Sequence, residues 1–301
     1  MSDIPKEDEN DHELNRDLDG EEDVSNSRVI DWEKINSLLS ANTSNALKEF
    51  LEEKQTSSEP TPKEPSQEKE PSHFKKYGKD PPNSVFKLQS YWEERFTEEE
   101  SYEWLVSWKS VRELIIPYLK PDSRILIVGC GNSSFSADIY DEGFENITNI
   151  DFSGVVIDKM KHLNSSRTNM KWVEMDMTKM TFLNETFDIV LDKAAMDALV
   201  VDEGDVWDPK DEVIDSVDRM CQCVRNVLTS SGIFLQISFA QPHFRTKYLI
   251  GYRAERQECN PYQSHKGRSF RYGWDLDFCD IPNVETGCLT LFFYSMIKSS
   301  S

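Results

Sequence analysis

The sequence predicts an α/β fold in which a mostly parallel sheet of seven strands is covered by helices and completed by an antiparallel hairpin. Two observations lead to this expectation. From about residue 84 onward, short apolar runs typical of buried strands alternate with stretches of helical periodicity, as in parallel strands joined by crossover helices. Near the carboxyl end this alternation stops, and two long strand-like runs around a turn-rich segment indicate a hairpin at one edge.

The predicted elements follow one another in a regular order. The five parallel strands are expected at Arg124–Val128, Asn146–Asp151, Met170–Glu174, Phe187–Asp192 and Gly232–Phe239. Helices are expected at Tyr91–Phe96, Glu98–Leu119, Ser134–Glu142, Gly154–Leu163 and Val213–Leu228. The two strands of the hairpin are expected at Arg268–Phe278 and Gly287–Lys298. Five parallel strand–helix units followed by a hairpin form the Rossmann-like topology of class I methyltransferases.

Residues 1–82 differ in composition from the rest of the chain. They hold 21 of the 55 Asp and Glu residues and 11 of the 34 Lys and Arg residues, with few aromatic side chains. Such a segment buries too little apolar surface to offset its ordering entropy, so we expect a disordered acidic extension. Apolar residues at roughly helical spacing indicate a possible short helix over Asp31–Lys54. Residues 55–83 are rich in Pro, Ser, Glu and Lys and predict a linker, which leaves 83–301 as the folded domain.

The formal net charge of −21 restricts the expected partners. Nucleic acid is not expected, because phosphates bind concentrated Lys and Arg. The acidity either favours a basic protein surface or serves only solubility. The longest apolar run, near Leu289–Ile297, is too short to cross a bilayer, so no membrane partner is expected. Because the six cysteines form no CxxC pair and the N-terminus is acidic where a leader would be basic, we expect a cytoplasmic protein without a metal site.

A buried strand runs directly into a glycine-rich turn at Gly129 and Gly131. Glycines at this point let the backbone approach a ligand closely, as in proteins that bind dinucleotides or S-adenosylmethionine. A dinucleotide fingerprint has a third glycine where Ser134 stands. Acidic residues come at or just after the ends of the next two strands: Asp151 suits a ribose diol, and Asp176 suits an adenine amino group. This series favours S-adenosylmethionine over NAD as the cofactor.

Five motifs, taken in order, resemble a known family. They are Tyr91-Trp92-x-x-Arg95-Phe96, Tyr102-x-Trp104, Ile125-Leu-Ile-Val-Gly-Cys-Gly-Asn132, Leu191-Asp-Lys-Ala-Ala-Met-Asp-Ala-Leu199 and Pro242-His-Phe-Arg-Thr246. Together they resemble the methyltransferase-like family, and most closely its branch of type 4 lysine methyltransferases that act on translation elongation factor 1-alpha. The resemblance spans about residues 88–250 and does not cover the first 82 residues. It implies a protein-lysine N-methyltransferase that uses S-adenosylmethionine and acts on elongation factor 1-alpha.

The resemblance also implies which residues hold the cofactor. These are Trp92, Phe96, Trp104, Gly129, Gly131, Asp151, Phe152, Asp176, Met177 and Lys193. Trp92 and Trp104 would face the sulfonium cation, or else only pack the N-terminal helices onto the sheet. Lys193 is expected to offer its backbone carbonyl rather than its ammonium. The chain departs from the family at Phe96, where close relatives have tyrosine, and at Ala194-Ala195-Met196, where the family usually has Gly-Thr-Leu.

The chemistry requires alignment more than strong catalysis. Methyl transfer from a sulfonium is favourable, so the enzyme chiefly places a deprotonated amine in line with the methyl group. Asp192 and Asp197 follow the fourth strand, where polar acceptors around the amine are expected, although Asp197 can equally cap a helix. His243 and Arg245 follow the fifth strand and either line the substrate entrance or hydrogen-bond the loop. The candidate catalytic residues are therefore Asp192, Asp197 and His243.

Other classes of function stay open at this point. An aminopropyltransferase has a similar sheet and a related cofactor, and Asp192 and Asp197 could hold a polyamine. A non-catalytic binding module would use the acidic extension and the helix over Asp31–Lys54. A methyltransferase of this kind could also act on another protein or on a small amine. Base methylation is disfavoured, because Asp-Lys-Ala-Ala stands where the Asn-Pro-Pro-Tyr signature would follow the fourth strand.

Overall fold

The computed structural model describes residues 77, 81–252, 266–282 and 290–299. Most of the predicted acidic extension and the helix predicted over Asp31–Lys54 lie outside these residues. Within the described ranges, eight strands form one sheet: β1 (Ile125–Val128), β2 (Ile147–Asp151), β3 (Lys171–Glu174), β4 (Phe187–Lys193), β5 (Leu228–Ser238), β6 (Lys266–Ser269), β7 (Trp274–Asp280) and β8 (Phe292–Lys298). Their order across the sheet is β3-β2-β1-β4-β5-β8-β7-β6. The first five strands are mutually parallel, and β8, β7 and β6 are added in antiparallel pairs.

Helices cover both faces of the sheet and lie in each connection between successive parallel strands except that from β3 to β4, which is a loop over residues 175–186. The described α-helices are α1 (Gln89–Glu98), α2 (Trp108–Ile115), α3 (Phe135–Asp141), α4 (Gly154–Leu163), α5 (Ala195–Val200), α6 (Asp211–Val227) and α7 (Pro242–Ile250). Between α5 and α6, the two-residue strands Gly204–Asp205 and Asp208–Pro209 pair as a short antiparallel ribbon, called the ribbon below. None of the helices in these ranges combines the length and apolarity that a bilayer crossing requires.

The core lies on both sides of the sheet, and β1 shows how it is built. All four β1 side chains are buried, and successive strand residues point to opposite faces. Ile125 and Ile127 pack with the buried residues of α1, α2, α3 and α4, whereas Leu126 and Val128 pack with those of α6 and α7. Because β1 to β5 are parallel, their carboxyl ends lie side by side along one edge of the sheet, and open α/β sheets bind ligands at this edge.

The helix predicted over Glu98–Leu119 is wrong in its first half. The structure has a loop over residues 99–107, and α2 begins only at Trp108. In this loop Leu105 has a φ of 61°, a left-handed conformation incompatible with a continuous helix, yet its side chain is fully buried. Burial of Leu105 comes from tertiary packing of the loop, which helical spacing of apolar residues cannot distinguish from a helix.

The predicted fold class is confirmed, but the strand number at the carboxyl end is wrong. The run predicted as one strand over Arg268–Phe278 is divided into β6 and β7 by a turn, so the sheet has eight strands rather than seven. Gly273 lies in this turn with a φ of 69°, which an extended strand does not allow. The fifth strand also begins at Leu228 rather than Gly232.

Candidate active site

The turn after β1 is shaped by two glycines. Gly129 and Gly131 have φ values of 58° and 53°, which residues with a side chain rarely adopt. A Cβ atom at Gly129 would lie 2.4 Å from the Cβ atom of Ala195, the first residue of α5. At Gly131 it would lie 3.6 Å from a ring carbon of Phe96. The glycine turn therefore lets β1 approach α5 closely and leaves a narrow space beside an aromatic ring.

Asp151 is the last residue of β2, and its side chain binds the backbone of the glycine turn. Its buried carboxylate accepts hydrogen bonds from the backbone amides of Gly131 and Ser153, each at 3.0 Å. Burial raises the pKa of Asp151 to about 6. Each carboxylate oxygen has a second acceptor position. Asp151 thus holds the turn in shape and retains the capacity to accept a hydrogen bond from a ribose diol.

Side-chain hydrogen bonds hold the residues that follow β2 and β3 in place. The carbonyl of Phe152 accepts a hydrogen bond at 2.6 Å from the side chain of Gln89, which ties α1 to the end of β2. Asp176 accepts hydrogen bonds from the amide and the hydroxyl of Thr178, both at 2.8 Å. The side chain of Asp176 is 38% exposed, and Met177 packs into the core on the α6 face. The turn predicted for adenine is therefore ordered and reachable from solvent.

Two of the aromatic residues predicted beside the cofactor, Trp92 and Trp104, lie against Arg95. Trp92 and Phe96 stack with ring centroids 5.4 Å apart. The guanidinium carbon of Arg95 lies 5.7 Å from the Trp92 ring centroid and 4.9 Å from that of Trp104. The ring of Tyr102 lies 5.0 Å from the same carbon. In this structure the cation that the two tryptophans face is Arg95; their contact with a cofactor stays a prediction.

Arg95 connects this aromatic cluster to the glycine turn. Its Nη2 pairs with Oε1 of Glu99 at 2.6 Å, and Oε2 of Glu99 accepts a hydrogen bond from Nδ2 of Asn132 at 3.0 Å. Two buried polar atoms, Oδ1 of Asn132 and the hydroxyl of Tyr102, have no hydrogen-bond partner in the described part of the chain. Orphaned polar atoms beside a glycine turn are positions where a bound ligand can supply the missing partner.

Lys193 ends β4 and directs its ammonium to the loop over residues 99–107. Its Nζ donates to Oε1 of Glu103 at 2.5 Å and to the carbonyl of Trp104 at 2.9 Å. Glu103 also accepts a hydrogen bond at 2.8 Å from the hydroxyl of Ser133 in the glycine turn. Glu103 is not among the residues predicted for the site, and its position between the motif residues Tyr102 and Trp104 is the one sequence signal that points to it.

Asp192 organises the turn between β4 and α5. Its buried carboxylate accepts hydrogen bonds from the amide of Ala195 at 2.8 Å and the amide of Met196 at 3.3 Å. Nε2 of Gln236 in β5 donates to it at 2.7 Å. Burial raises the pKa of Asp192 to about 6. This carboxylate therefore caps α5 and joins β4 to β5.

The other two candidate catalytic residues lie on either side of Arg245. Asp197 is buried, accepts a hydrogen bond from the Ser238 hydroxyl at 2.6 Å, and pairs with the guanidinium of Arg245. Arg245 is 1% exposed, so it bonds inside the protein rather than lining the entrance. His243 is half-buried, with its ring centroid 3.7 Å from that of Phe244. Burial and, to a smaller extent, the charge of Lys247 lower the pKa of His243 to about 4, so it is neutral near pH 7.

This edge of the sheet fits S-adenosylmethionine, which combines an amino-acid group, a sulfonium, a ribose and an adenine. Asp151 would accept hydrogen bonds from the ribose diol. Beside the glycine turn, the guanidinium of Arg95 would attract the carboxylate of the amino-acid group, and the carboxylates of Glu99 and Glu103 would attract its ammonium. The orphaned amide oxygen of Asn132 adds an acceptor there. Among the described residues, no group of three or more His, Cys, Asp or Glu side chains is placed to hold a metal ion.

Comparison with known proteins relates the chain to methyltransferases. A family model described as a methyltransferase domain matches residues 125–206. The chain is 33% identical over 197 residues to the Bos taurus protein "EEF1A lysine methyltransferase 4", covering 64% of this chain and 70% of the bovine protein. It is 40% identical over 165 residues to the Mus musculus protein "eEF1A lysine and N-terminal methyltransferase", covering 54% of this chain but only 23% of the mouse protein. Among solved structures it is similar to the N-methyltransferase NodS from Bradyrhizobium japonicum in complex with S-adenosyl-L-homocysteine, at 12% identity and a TM-score of 0.44, covering 70% of this chain and 97% of that chain.

Proposed function

Because the chain belongs to the family of S-adenosylmethionine-dependent methyltransferases that includes bovine EEF1A lysine methyltransferase 4, we propose that it methylates a lysine side chain of translation elongation factor 1-alpha. The observation that carries the substrate is the similarity to the bovine protein over most of that protein's length. The acidity of the chain supports it, since a net charge of −21 attracts a basic protein surface.

The residues of the glycine turn would bind and orient the cofactor, which supplies an electrophilic methyl group on a sulfonium. Asp151 would hold the ribose while its bonds to the turn keep the backbone in place. The charged pair of Arg95 and Glu99 would hold the amino-acid group. The stacked rings of Trp92 and Phe96 would keep water from this end of the site, which strengthens electrostatic interactions inside it.

The acceptor lysine must lose its proton before transfer, and none of the three candidate catalytic side chains is built to remove it. Asp192 and His243, with pKa values of about 6 and about 4, are far weaker bases than a lysine amine of pKa about 10.4. Asp197 is engaged by Arg245. In this proposal Asp192 and Asp197 position the turn after β4, His243 borders the entrance, and the proton leaves to solvent. The rate of methylation should therefore rise with pH.

The proposal is tested by incubating the purified protein with labelled S-adenosylmethionine and recombinant elongation factor 1-alpha, then mapping methylated lysines by mass spectrometry. The matched control is Asp151→Asn, which keeps the side-chain size but removes the carboxylate expected at the ribose. We expect one lysine to gain methyl groups with the wild-type protein and much less with the variant. If another protein in a cell extract is labelled and elongation factor 1-alpha is not, the proposed substrate is wrong, whereas the methyltransferase activity is confirmed.

We place this activity in the cytoplasm as part of the same proposal, without nucleic acid or membrane as a partner. The buried free thiols of Cys130 and Cys221 support a reducing compartment, and the acidic charge balance supports a protein partner. Fractionation of cells followed by detection of the protein tests the location. Recovery with mitochondria or with the secreted fraction would contradict it.

A further inference from the structure

The ribbon presents a tryptophan at the edge of the sheet that carries the candidate site. It joins α5, which follows β4, to α6, and it lies against α7, which follows β5. Trp207 stands at its turn with 50% of the residue exposed. Large exposed aromatic side chains are enriched at protein interfaces, where a few of them carry most of the binding energy.

Contacts with α7 and with Tyr252, which follows it, hold the ribbon and the ring in place. The ammonium of Lys247 in α7 donates to the carbonyl of Val206, and the hydroxyl of Tyr252 donates to the carbonyl of Trp207 at 3.1 Å. The Trp207 ring packs against Phe244 with centroids 5.3 Å apart and stacks on His243 at 6.1 Å. A side chain that is ordered before binding loses little conformational entropy in a complex.

The surroundings of this ring are acidic. Residues 202–212 contain six acidic side chains and one basic side chain. Asp202 is neutralised by Lys87 at 2.6 Å and by Lys210 at 2.9 Å. Asp205 and Asp208, which flank the turn, are exposed and form no ion pair within the described ranges. Oδ1 of Asp205 accepts a hydrogen bond at 2.8 Å from the backbone amide of Trp207, and the charge of Asp205 also acts on Lys247 in α7. The exposed indole is thus flanked along the chain by two exposed acidic residues.

We propose that Trp207, together with Asp205 and Asp208, is a docking site for an arginine or lysine side chain on the surface of the protein substrate, next to the lysine that is methylated. This inference rests on the proposed function. An indole face attracts a cation, and more strongly a guanidinium that carboxylates can bind at its edge. The ribbon would therefore select substrates by a basic residue near the target, while the glycine turn serves only the cofactor.

Steady-state kinetics with recombinant elongation factor 1-alpha test the role of the ring. We expect Trp207→Ala to lower kcat/KM by roughly tenfold, mainly through KM, with cofactor affinity unchanged. Trp207→Phe should restore part of the loss, because it keeps an aromatic face. Leu183→Ala is the matched control and should leave kcat/KM unchanged. Leu183 is 83% exposed and precedes β4, so it lies at the amino ends of the parallel strands, away from the candidate site. Melting temperatures of all variants separate docking from loss of stability.

A second pair of variants tests the charge. Asp208→Asn should lower kcat/KM about two- to threefold at low salt and make kcat/KM less dependent on salt. Asp122 precedes β1, at the amino ends of the parallel strands, so Asp122→Asn should change neither kcat/KM nor its salt dependence. If the wild-type protein methylates elongation factor 1-alpha and Trp207→Ala does so with the same kcat/KM, the docking site is wrong and the proposed function stands. If the wild-type protein does not methylate elongation factor 1-alpha, the proposed function fails and the docking site with it.

Discussion

The guanidinium of Arg245 in α7 is paired with the carboxylate of Asp197 in α5, and both side chains are buried under the carboxyl ends of β4 and β5. Within the described part of the chain, Nε and Nη1 of Arg245 and Oδ2 of Asp197 have no further hydrogen-bond partner. The pair therefore connects α5 to α7, the helices that follow β4 and β5, and it buries polar atoms whose hydrogen bonding is incomplete.

Removing one partner of this pair should destabilise the protein more than replacing both partners with apolar side chains. Arg245→Met leaves the carboxylate of Asp197 buried without its cation, so the free energy of unfolding should fall by about 3–5 kcal/mol. The double variant Arg245→Met, Asp197→Leu removes both charges and should recover most of that loss. Chemical denaturation of the wild-type protein, both single variants and the double variant measures the coupling. Additive losses would mean that the two side chains do not depend on each other.

Asp151 should be needed for cofactor binding. Asp151→Ala removes the acceptor of the Gly131 amide, which is also the acceptor expected for the ribose diol. Affinity for S-adenosylmethionine should therefore weaken by about 1.5–3 kcal/mol. Titration calorimetry measures this change. Asp158→Ala, an exposed position in α4, is the control and should bind normally. Unchanged affinity in a folded Asp151→Ala protein would remove Asp151 from the cofactor site.

Ala194 occupies a position that suits glycine. Its φ is 66°, a left-handed conformation that costs a residue with a Cβ atom about 1–2 kcal/mol. Allowing for the larger entropy of glycine in the unfolded chain, Ala194→Gly should raise the free energy of unfolding by about 0.5–1 kcal/mol. Ala195→Gly, at the first residue of α5, should lower it instead, by less than the roughly 1 kcal/mol that glycine costs in a helix interior. Thermal denaturation distinguishes the two, and equal destabilisation would contradict the left-handed turn.

Asp192 should make stability depend on pH. Its pKa is raised from 3.8 to about 6 in the folded protein, so the folded state holds the proton more tightly than the unfolded state. The stability that Asp192 contributes is therefore lost as pH rises from about 4 to about 6. Relative to Asp192→Asn, which cannot ionise, the wild-type protein should lose up to roughly 3 kcal/mol across this window.

Denaturant titrations at about pH 4.5 and about pH 7 measure that difference. Asp141→Asn is the control, because its effect on stability changes only below about pH 4 and should be the same at both pH values. Arg167 lowers the pKa of Asp141, so the contribution of Asp141 to stability is lost as pH falls. A difference between wild type and Asp192→Asn that does not change with pH would mean that this carboxyl titrates normally.

The start of the folded domain can be located by shortening the chain. Tyr77 packs edge-on against Tyr91 with ring centroids 5.5 Å apart, and its hydroxyl is 2.5 Å from that of Ser90. A chain that begins at Tyr77 should keep the Tm of the full protein. A chain that begins at Ser84 should still fold and bind cofactor, but with about 1 kcal/mol less stability. A failure of the shorter chain to fold would place part of the domain before residue 83.

The sequence by itself determined the elements whose patterns are local. α4 is found at Gly154–Leu163 as predicted, and β1 to β4 lie within one residue of their predicted ends, because short apolar runs and helical periodicity depend on neighbouring residues. The glycine turn was also predictable, since only a tight turn directly after a buried strand requires Gly129 and Gly131 together.

Only the tertiary structure decided how the side chains of the candidate site are used. The fold of the loop over residues 99–107 places Arg95 among the rings predicted for a sulfonium. Contacts between distant segments turn Lys193 towards Glu103 and bury Arg245 against Asp197. The same kind of contact breaks the predicted helix before Trp108 and holds Trp207 on the surface. Each of these outcomes depends on partners about 40 or more residues away or on burial of a loop, and periodicity along the chain carries no information about either.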